Sequence, residues 1–309
     1  MKTDIEREPL RVRWRADAVL VAVSLVWGAD FVLVKSLLGR VPALAFLFWR
    51  FALATLVCAL FLPGRPRTPR LLRDGLVLGS LSCAGMGLQI VGQTHTTASN
   101  ASFLTGLASV MTPLAAFLLF RRLPTLENGL GISLAGAGFV LMTFPAAGAA
   151  VNRGDLLVFG CAVAWAFYIV ELAERSPRHD PAWITAIQLG LVALAAGAAT
   201  LLLWGFDGLR SGIVPLLSSP SLILQVVLLA AVGTTATFLF QAWAQGQMSA
   251  THAAVIFTLE PVVTALLAAW FLAERLGLRG WAGGALVLAG IVVAELRLRR
   301  KGDRRPPSP

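Results

Sequence analysis

The chain has 309 residues, 57% of them hydrophobic and 14% charged, with a formal net charge of +10. A soluble domain carries about 25% charged residues, so a water-soluble globular protein is excluded. The basic balance suggests nucleic acid only until the charges are located: they fall in short polar segments between long apolar blocks.

Those blocks are about 20 residues each, the length that crosses roughly 30 Å of hydrocarbon at 1.5 Å per residue. Ten spans are predicted, at 16–37, 42–62, 74–95, 98–120, 128–145, 154–174, 182–204, 221–243, 251–273 and 279–297. Runs of this length far exceed the roughly 9–11 residues of a barrel strand, so the class is an all-α integral membrane protein.

In chain order, residues 1–15 are polar and basic. They lack a small-residue cleavage site before a polar mature start and are expected to be retained. Span 1 carries Trp27 and, inside the apolar run LVWGADFVLVK (25–35), the carboxylate of Asp30; Lys35 near the span's end is expected to snorkel. Span 2 carries Arg50. Both charges lie roughly 10–13 Å below the same surface at 1.5 Å per residue, on consecutive antiparallel helices. An Asp30–Arg50 ion pair is therefore expected, either tying two helices together or lining a substrate cavity.

Span 3 holds the glycines of GSLSCAGMG (79–87), which read as a helix-packing surface, and Gln89 and Gln93, an i, i+4 pair on one face. Asn100 stands at the start of span 4, which also contains Pro113. GISLAGAG (131–138) in span 5 reads as a second packing surface. Its Ser133 is the one tempting Gly-x-Ser of an intramembrane protease, but no histidine falls at similar depth. Span 6 has Trp165, with Tyr168 one turn along, and Glu171 and Arg175, read as a surface pair. Residues 205–220 read as a long loop. Span 8 carries a second amide pair, Gln241 and Gln245. Span 9 begins near His252 and sets Glu260 near its middle, immediately before Pro261. Proline removes a backbone donor and kinks the helix, and a kink beside a carboxylate suits a substrate or proton site. Residues 298–309 form a basic tail expected to be disordered.

Cys58, Cys83 and Cys161 all fall inside spans and read as small buried apolar residues rather than disulfide or metal partners. The three histidines (His95, His179 and His252) are too few for a metal site, and no phosphate-binding G-x-x-x-x-G-K-[ST] motif occurs. No cofactor is expected.

With the N-terminus inside, the inner segments hold 19 Lys and Arg and the outer ones 6, Arg50 lying within a span. This asymmetry puts both termini in the cytoplasm. The Arg-rich tails then face anionic lipid headgroups, and nucleic acid is not a partner.

Residues 89–140 align on 241–292 at an offset of 152 without a gap, bringing Gln89 onto Gln241, Gln93 onto Gln245, Gly131 onto Gly283 and Gly138 onto Gly290. At an offset of 138, Arg15, Asp17 and Trp27 fall on Arg153, Asp155 and Trp165. The chain thus divides into repeats at 16–145 and 154–297. Five spans per copy is an odd number, so the second copy enters the membrane upside down. Inverted repeats are a build associated with secondary transporters.

Several of these residues carry a resemblance to the EamA group of bacterial permeases in the drug/metabolite transporter superfamily. They are Trp27 and Gly28, FWRF around Arg50, ASNASFLTGLASVMTPL (98–114) and THAAVIFTLEPVVTALLAAWFLAERL (251–276), the last with Glu260, Pro261 and Glu274. The resemblance runs over 16–144 and 154–296. It implies ten helices in two five-helix repeats, with a cavity between spans 1–4 and 6–9. Spans 5 and 10 would lie at the periphery, where a homodimer contact could form. It further implies export of amino acids, other small metabolites or drugs across the bacterial inner membrane. Asp30 stands where such permeases more often have a small or hydroxyl residue, and Glu274 aligns with Arg122, so neither role is carried over.

The expectation is a secondary transporter exporting amino acids or similar zwitterions by alternating access. Proton-coupled efflux of cationic drugs is the alternative, and an intramembrane enzyme the remote one. Asp30, Arg50, Glu260, Trp27, Trp165, Tyr168, Gln89, Gln93, Gln241 and Gln245 are its substrate-binding or coupling candidates, with Pro113 and Pro261 as kinks.

Overall fold

The structure is a computed structural model that describes residues 10–64, 69–121, 123, 126–143 and 152–295. The first nine residues of the basic N-terminal segment and the tail 298–309 lie outside the described residues.

Among the described residues the chain is helical throughout. The first half runs α1 (Leu10–Leu38), α2 (Ala43–Ala59), α3 (Leu71–His95), α4 (Ala98–Phe120) and α5 (Leu126–Thr143). The second runs α6 (Arg153–Arg175), α7 (Pro181–Ile213), α8 (Pro220–Ala230), a π-helical turn (Ala231–Ala236), α9 (Thr237–Gln245), α10 (Ala250–Phe257), α11 (Leu259–Phe271) and α12 (Leu278–Glu295). Seven segments are long and apolar enough to cross a membrane. The protein is an integral membrane protein.

Small polar residues set the helix starts. Thr97 accepts from Asn100 N at 3.0 Å to open α4, Asn152 from Gly154 N at 2.8 Å to open α6, and Ser249 from His252 N at 3.2 Å to open α10. Asp180 caps α7 and Ser219 caps α8, each followed by a proline at the first helical position, where its missing N–H costs nothing. Asn100 and His252 therefore stand one turn inside their helices rather than capping them.

Two stretches differ from the sequence reading. Residues 205–220 are largely helical: Gly205, at φ 62° and ψ −159°, turns the chain, and helix then continues to Ile213. A side chain rarely adopts that backbone conformation, so glycine is what permits the turn. Secondly, α2 packs chiefly along α7, and α1 against α11 and α9. Consecutive helices α1 and α2 are not the close neighbours that equal depth assumes.

Helices α5 and α12 lie against each other through glycine. A Cβ on Gly138 would stand 2.5 Å from Gly283 O, and one on Gly290 would stand 2.6 Å from Gly131 O. Removing side chains lets two backbones approach, and that packing substitutes for the hydrophobic effect inside lipid.

At the centre, the ring of Phe238 on α9 is the hub of an aromatic cluster. Trp27, Phe51, Trp165 and Tyr168 surround it at centroid distances of 6.5, 6.2, 6.3 and 6.3 Å. Such edge and tilted contacts add about 0.5–1.5 kcal/mol per pair beyond burial. They hold α1, α2, α6 and α9 around one point.

Candidate functional site

A cavity opens beside that cluster, with a free volume of about 610 Å³ including its mouth. Asp30 and Trp27 on α1, Arg50 on α2, Gln89 on α3, Trp165 on α6, Gln241 on α9 and Glu260 on α11 all line it. Both halves of the chain contribute.

Arg50 and Asp30 meet in a two-pronged pair, Nη2 to Oδ1 at 2.8 Å and Nη1 to Oδ2 at 3.0 Å, with Arg50 3% and Asp30 7% exposed. The fork geometry suits guanidinium and carboxylate, and leaving either partner alone in a dry interior costs several kcal/mol. Side-by-side packing of α1 and α2 does not make the pair. The π turn between α8 and α9 does.

There Thr234 Oγ1 accepts from Arg50 Nε at 2.8 Å, and Gly233 O lies 3.4 Å from Nη2. The turn carries its own hydroxyl bonds. Thr234 Oγ1 donates to Leu229 O, five residues back, at 2.8 Å, and Thr237 Oγ1 donates to Gly233 O at 2.8 Å. Such π turns recur at functional sites. Thr235 Oγ1 donates to Ala54 O at 2.8 Å, which ties the turn to α2. A methyl on Gly233 would overlap Asp30 Oδ1. Gly233 and Thr234 escaped the sequence reading, since a Gly-Thr-Thr in an apolar run has no motif of its own.

Glu260 follows a second irregularity. Pro261 has no N–H for Phe257 O, and α10 gives way to α11 at Thr258, whose N–H turns to Val255 O at 3.0 Å. Glu260 is 7% exposed, and among the described residues its carboxylate makes no hydrogen bond or ion pair. Gly28 lets α1 come close here: its added Cβ would stand 2.7 Å from Val263, and Thr264 Oγ1 donates to Gly28 O at 3.1 Å. By contrast, α4 runs through Pro113 without a break.

The amides divide. Gln89 Oε1 accepts from Trp165 Nε1 at 3.3 Å, and Gln241 Nε2 donates to Gln245 Oε1 at 2.8 Å, both at the cavity wall. Gln93 instead donates to Phe31 O at 2.6 Å, and Gln245 Nε2 to Ile169 O at 3.4 Å, each joining helices away from the lining. Tyr168 is likewise behind the wall, its hydroxyl donating to Gln188 Oε1 at 2.8 Å and its ring edge-on to Trp165.

Two further readings change, and Glu274 gains a place. Lys35 does not snorkel: its Nζ donates to Gln93 O at 2.7 Å and Thr96 O at 2.6 Å, where α3 ends and leaves carbonyls without partners. Glu274 receives Ala98 N at 2.7 Å, Ser99 N at 3.1 Å and Ser99 Oγ at 2.7 Å, placing a negative charge on the N-terminus of α4. Glu171 and Arg175 are not a lone surface pair. Arg175 also binds Asp74, whose other oxygen lies 2.8 Å from His179 Nε2.

A polytopic helical bundle with a charged, aromatic-walled cavity defines the class: an integral membrane protein with a polar site among its helices. Residues 14–144 and 152–296 each match the EamA-like transporter family, and the chain belongs to it. It is a membrane transporter, with a permease's architecture. An "Uncharacterized transporter" of Archaeoglobus fulgidus is 29% identical over 93% of this chain and 87% of its own length. A Salmonella typhimurium protein named "Probable amino-acid metabolite efflux pump" is 28% identical over 93% of this chain and 97% of its own. A solved crystal structure at 20% identity superposes with a TM-score of 0.67 over 93% of this chain and 99% of that one, a likeness of fold alone.

Proposed function

We propose that the chain is a secondary transporter that exports small amine-bearing metabolites, amino acids foremost, by alternating access. The observation that carries this is the cavity itself: both family-matched segments line it, and Asp30, Arg50 and Glu260 charge it. Ionisable groups are expensive inside a bilayer, and where they line a cavity they mark substrate or ion pathways. The named efflux relative favours amino-acid metabolites.

The same reading has ten membrane helices in two inverted repeats, α1–α5 and α6–α12, with both termini in the cytoplasm of a bacterium. Support comes from contacts exchanged between halves. Gly138 touches Gly283 while Gly290 touches Gly131, and each glycine of one contact aligns with a glycine of the other at the offset of 152. Such reciprocal contacts are what a two-fold axis produces. Among the described residues, the two non-glycine residues with positive φ, Arg121 and Ala273, end α4 and follow α11 at that same offset. A homodimer through α5 and α12 belongs to the reading too, and their faces expose Leu130, Trp281 and Val292.

Proton-coupled efflux of cationic compounds is the second reading, favoured by the unpartnered Glu260 beside Trp27, Trp165 and Phe257. Against an enzyme, Ser133 Oγ is spent on Gly129 O of its own helix at 3.0 Å.

The test is efflux from proteoliposomes loaded with labelled amino acids, small metabolites or cationic dyes, with and without a pH gradient. Saturable, gradient-insensitive amino-acid efflux supports the first reading. Gradient-driven movement of dyes alone selects the second, and movement of nothing removes both.

A further inference from the structure

Resting on that reading, we infer that Lys35, Asp155 and Glu274 form a latch on the outer end of the cavity. The unloaded transporter then rests closed to the outside and opens first toward the cytoplasm, where an exporter loads.

The turn between α3 and α4 is gripped by three charged side chains from outside that hairpin. Lys35, near the end of α1, donates to Gln93 O and Thr96 O. Asp155, in the first turn of α6 and 1% exposed, accepts from Thr96 Oγ1. Glu274, between α11 and α12, takes Ala98 N, Ser99 N and Ser99 Oγ. Hydrogen bonds with one ionised partner are about twice as strong as neutral ones. Beside them α3 and α6 touch through glycine. A Cβ on Gly154 would stand 2.6 Å from Gly92 O, and one on Gly92 would stand 2.9 Å from Gly154 O.

In the proposed repeat the turn between α9 and α10 is the mate of this one at the opposite end, and it is held differently. One bond is common to both. Gln93 Nε2 donates to Phe31 O at 2.6 Å, and at offsets of 152 and 138 it recurs as Gln245 Nε2 to Ile169 O, at 3.4 Å. Of the three charges only Asp155 has a like mate, Asp17. That carboxylate lies 2.8 Å from His252 Nε2, with 41% and 45% of the two side chains exposed. Lys35 aligns with Ala173, and Glu274 with Arg122. The touching glycines align with Ala244 and Ala16, whose methyls hold two backbones further apart.

Two ends built on one plan but fastened unequally separate in a fixed order. Among the described residues the α9–α10 end has fewer bonds and the wider spacing, so it opens at lower cost. In the proposed topology that end is cytoplasmic.

The experiment follows one cysteine, Thr105→Cys on the cavity wall, with Cys58, Cys83 and Cys161 replaced by alanine in the full-length protein. A membrane-impermeant maleimide is applied from outside in whole cells, and to the cytoplasmic face in inverted membrane vesicles. With the latch intact, labelling is expected to be at least about fivefold faster from the cytoplasmic face. Lys35→Met and Glu274→Gln should each raise the outside rate about fivefold, and Asp17→Asn should leave it within about twofold. The comparison of faces uses the intact latch, so it stands even if a variant folds poorly. Equal rates from the two faces, or labelling from neither, overturns the inference. So do variants that lose thermal stability with the ratio of rates unchanged, since the charges would then be helix caps alone. Labelling needs no substrate. A protein that moves nothing in the efflux assay yet labels as expected loses the transport reading and keeps the latch.

Discussion

Two helical pairs contribute to the cavity wall, and they differ in regularity. Helices α3 and α4 run unbroken from Leu71 to His95 and from Ala98 to Phe120, proline included. At the offset of 152, their counterparts span 220–245 and 250–271, and each is interrupted: by the π turn at Ala231–Ala236 and by the break at Thr258. The ionisable groups gather at the interruptions. Arg50 and Asp30 gather on the π turn, and Glu260 follows the break, whereas Ala108 occupies the aligned position in α4. On the proposed repeat, the backbone irregularity of the second half falls where charged side chains are seated.

The strongest way to break that comparison is to remove the charge from its seat. Arg50→Gln leaves Asp30 buried without its partner and should cost about 3–5 kcal/mol, read as thermal unfolding in detergent. Asp30→Asn combined with Arg50→Gln should recover at least half of the loss. On the regular pair, Gln89→Leu should cost under about 1 kcal/mol, the usual worth of an interhelical amide bond. A double variant as unstable as Arg50→Gln alone would mean that the π turn needs Arg50 for shape and not for pairing with Asp30.

Next in size is the seat itself. Gly233→Ala drives a methyl into Asp30 Oδ1, and overpacking of this kind costs about 1–3 kcal/mol. Gly87→Ala on α3 meets nothing within 4 Å and should be neutral or stabilising by about 0.5–1 kcal/mol. Equal melting temperatures for the two variants would place the Asp30 carboxylate elsewhere.

What was legible in the sequence follows the same division. Apolar blocks give helices, and Ala98–Phe120 and Ala43–Ala59 end within a few residues of their spans, because hydropathy and length act locally. Asp30, Arg50 and Glu260 stand out because an ionisable residue in an apolar run has few excuses. Their company was not legible. Thr234 and Gly233 act through a π turn that has no signature in residue order. Lys35 was misread because its acceptors, Gln93 O and Thr96 O, are free only where α3 happens to end beside α1. Tyr168 looks like a site residue from its spacing to Trp165, yet that spacing put it behind the indole.

The prolines offer a smaller contrast, read in transport rather than stability. Pro261→Ala supplies an N–H to Phe257 O and lets α10 and α11 join into one helix, moving Glu260 relative to Gln241. Proteoliposome efflux should fall about tenfold, equivalent to roughly 1.4 kcal/mol. Pro113→Ala, in a helix already continuous, should change it less than about twofold. If the two prove interchangeable, the break at Thr258 is incidental to transport.

The smallest effect concerns how the second helix of each pair begins. α10 has one side-chain cap, Ser249, whereas α4 has two: Thr97 on Asn100 N, and the Glu274 carboxylate on Ala98 N and Ser99 N. Losing a single hydroxyl cap costs about 1 kcal/mol, and Ser249→Ala should show that in full. Thr97→Ala should cost only a few tenths, since Glu274 still holds the neighbouring amides and its charge still meets the helix dipole. In a Glu274→Gln background the charge is gone, and Thr97→Ala should rise toward about 1 kcal/mol. The two substitutions then couple in a double-mutant cycle, as groups serving one helix end must. Additive losses would mean that Glu274 anchors the turn before α12 and contributes nothing to α4. The redundancy at the regular pair would then be only apparent.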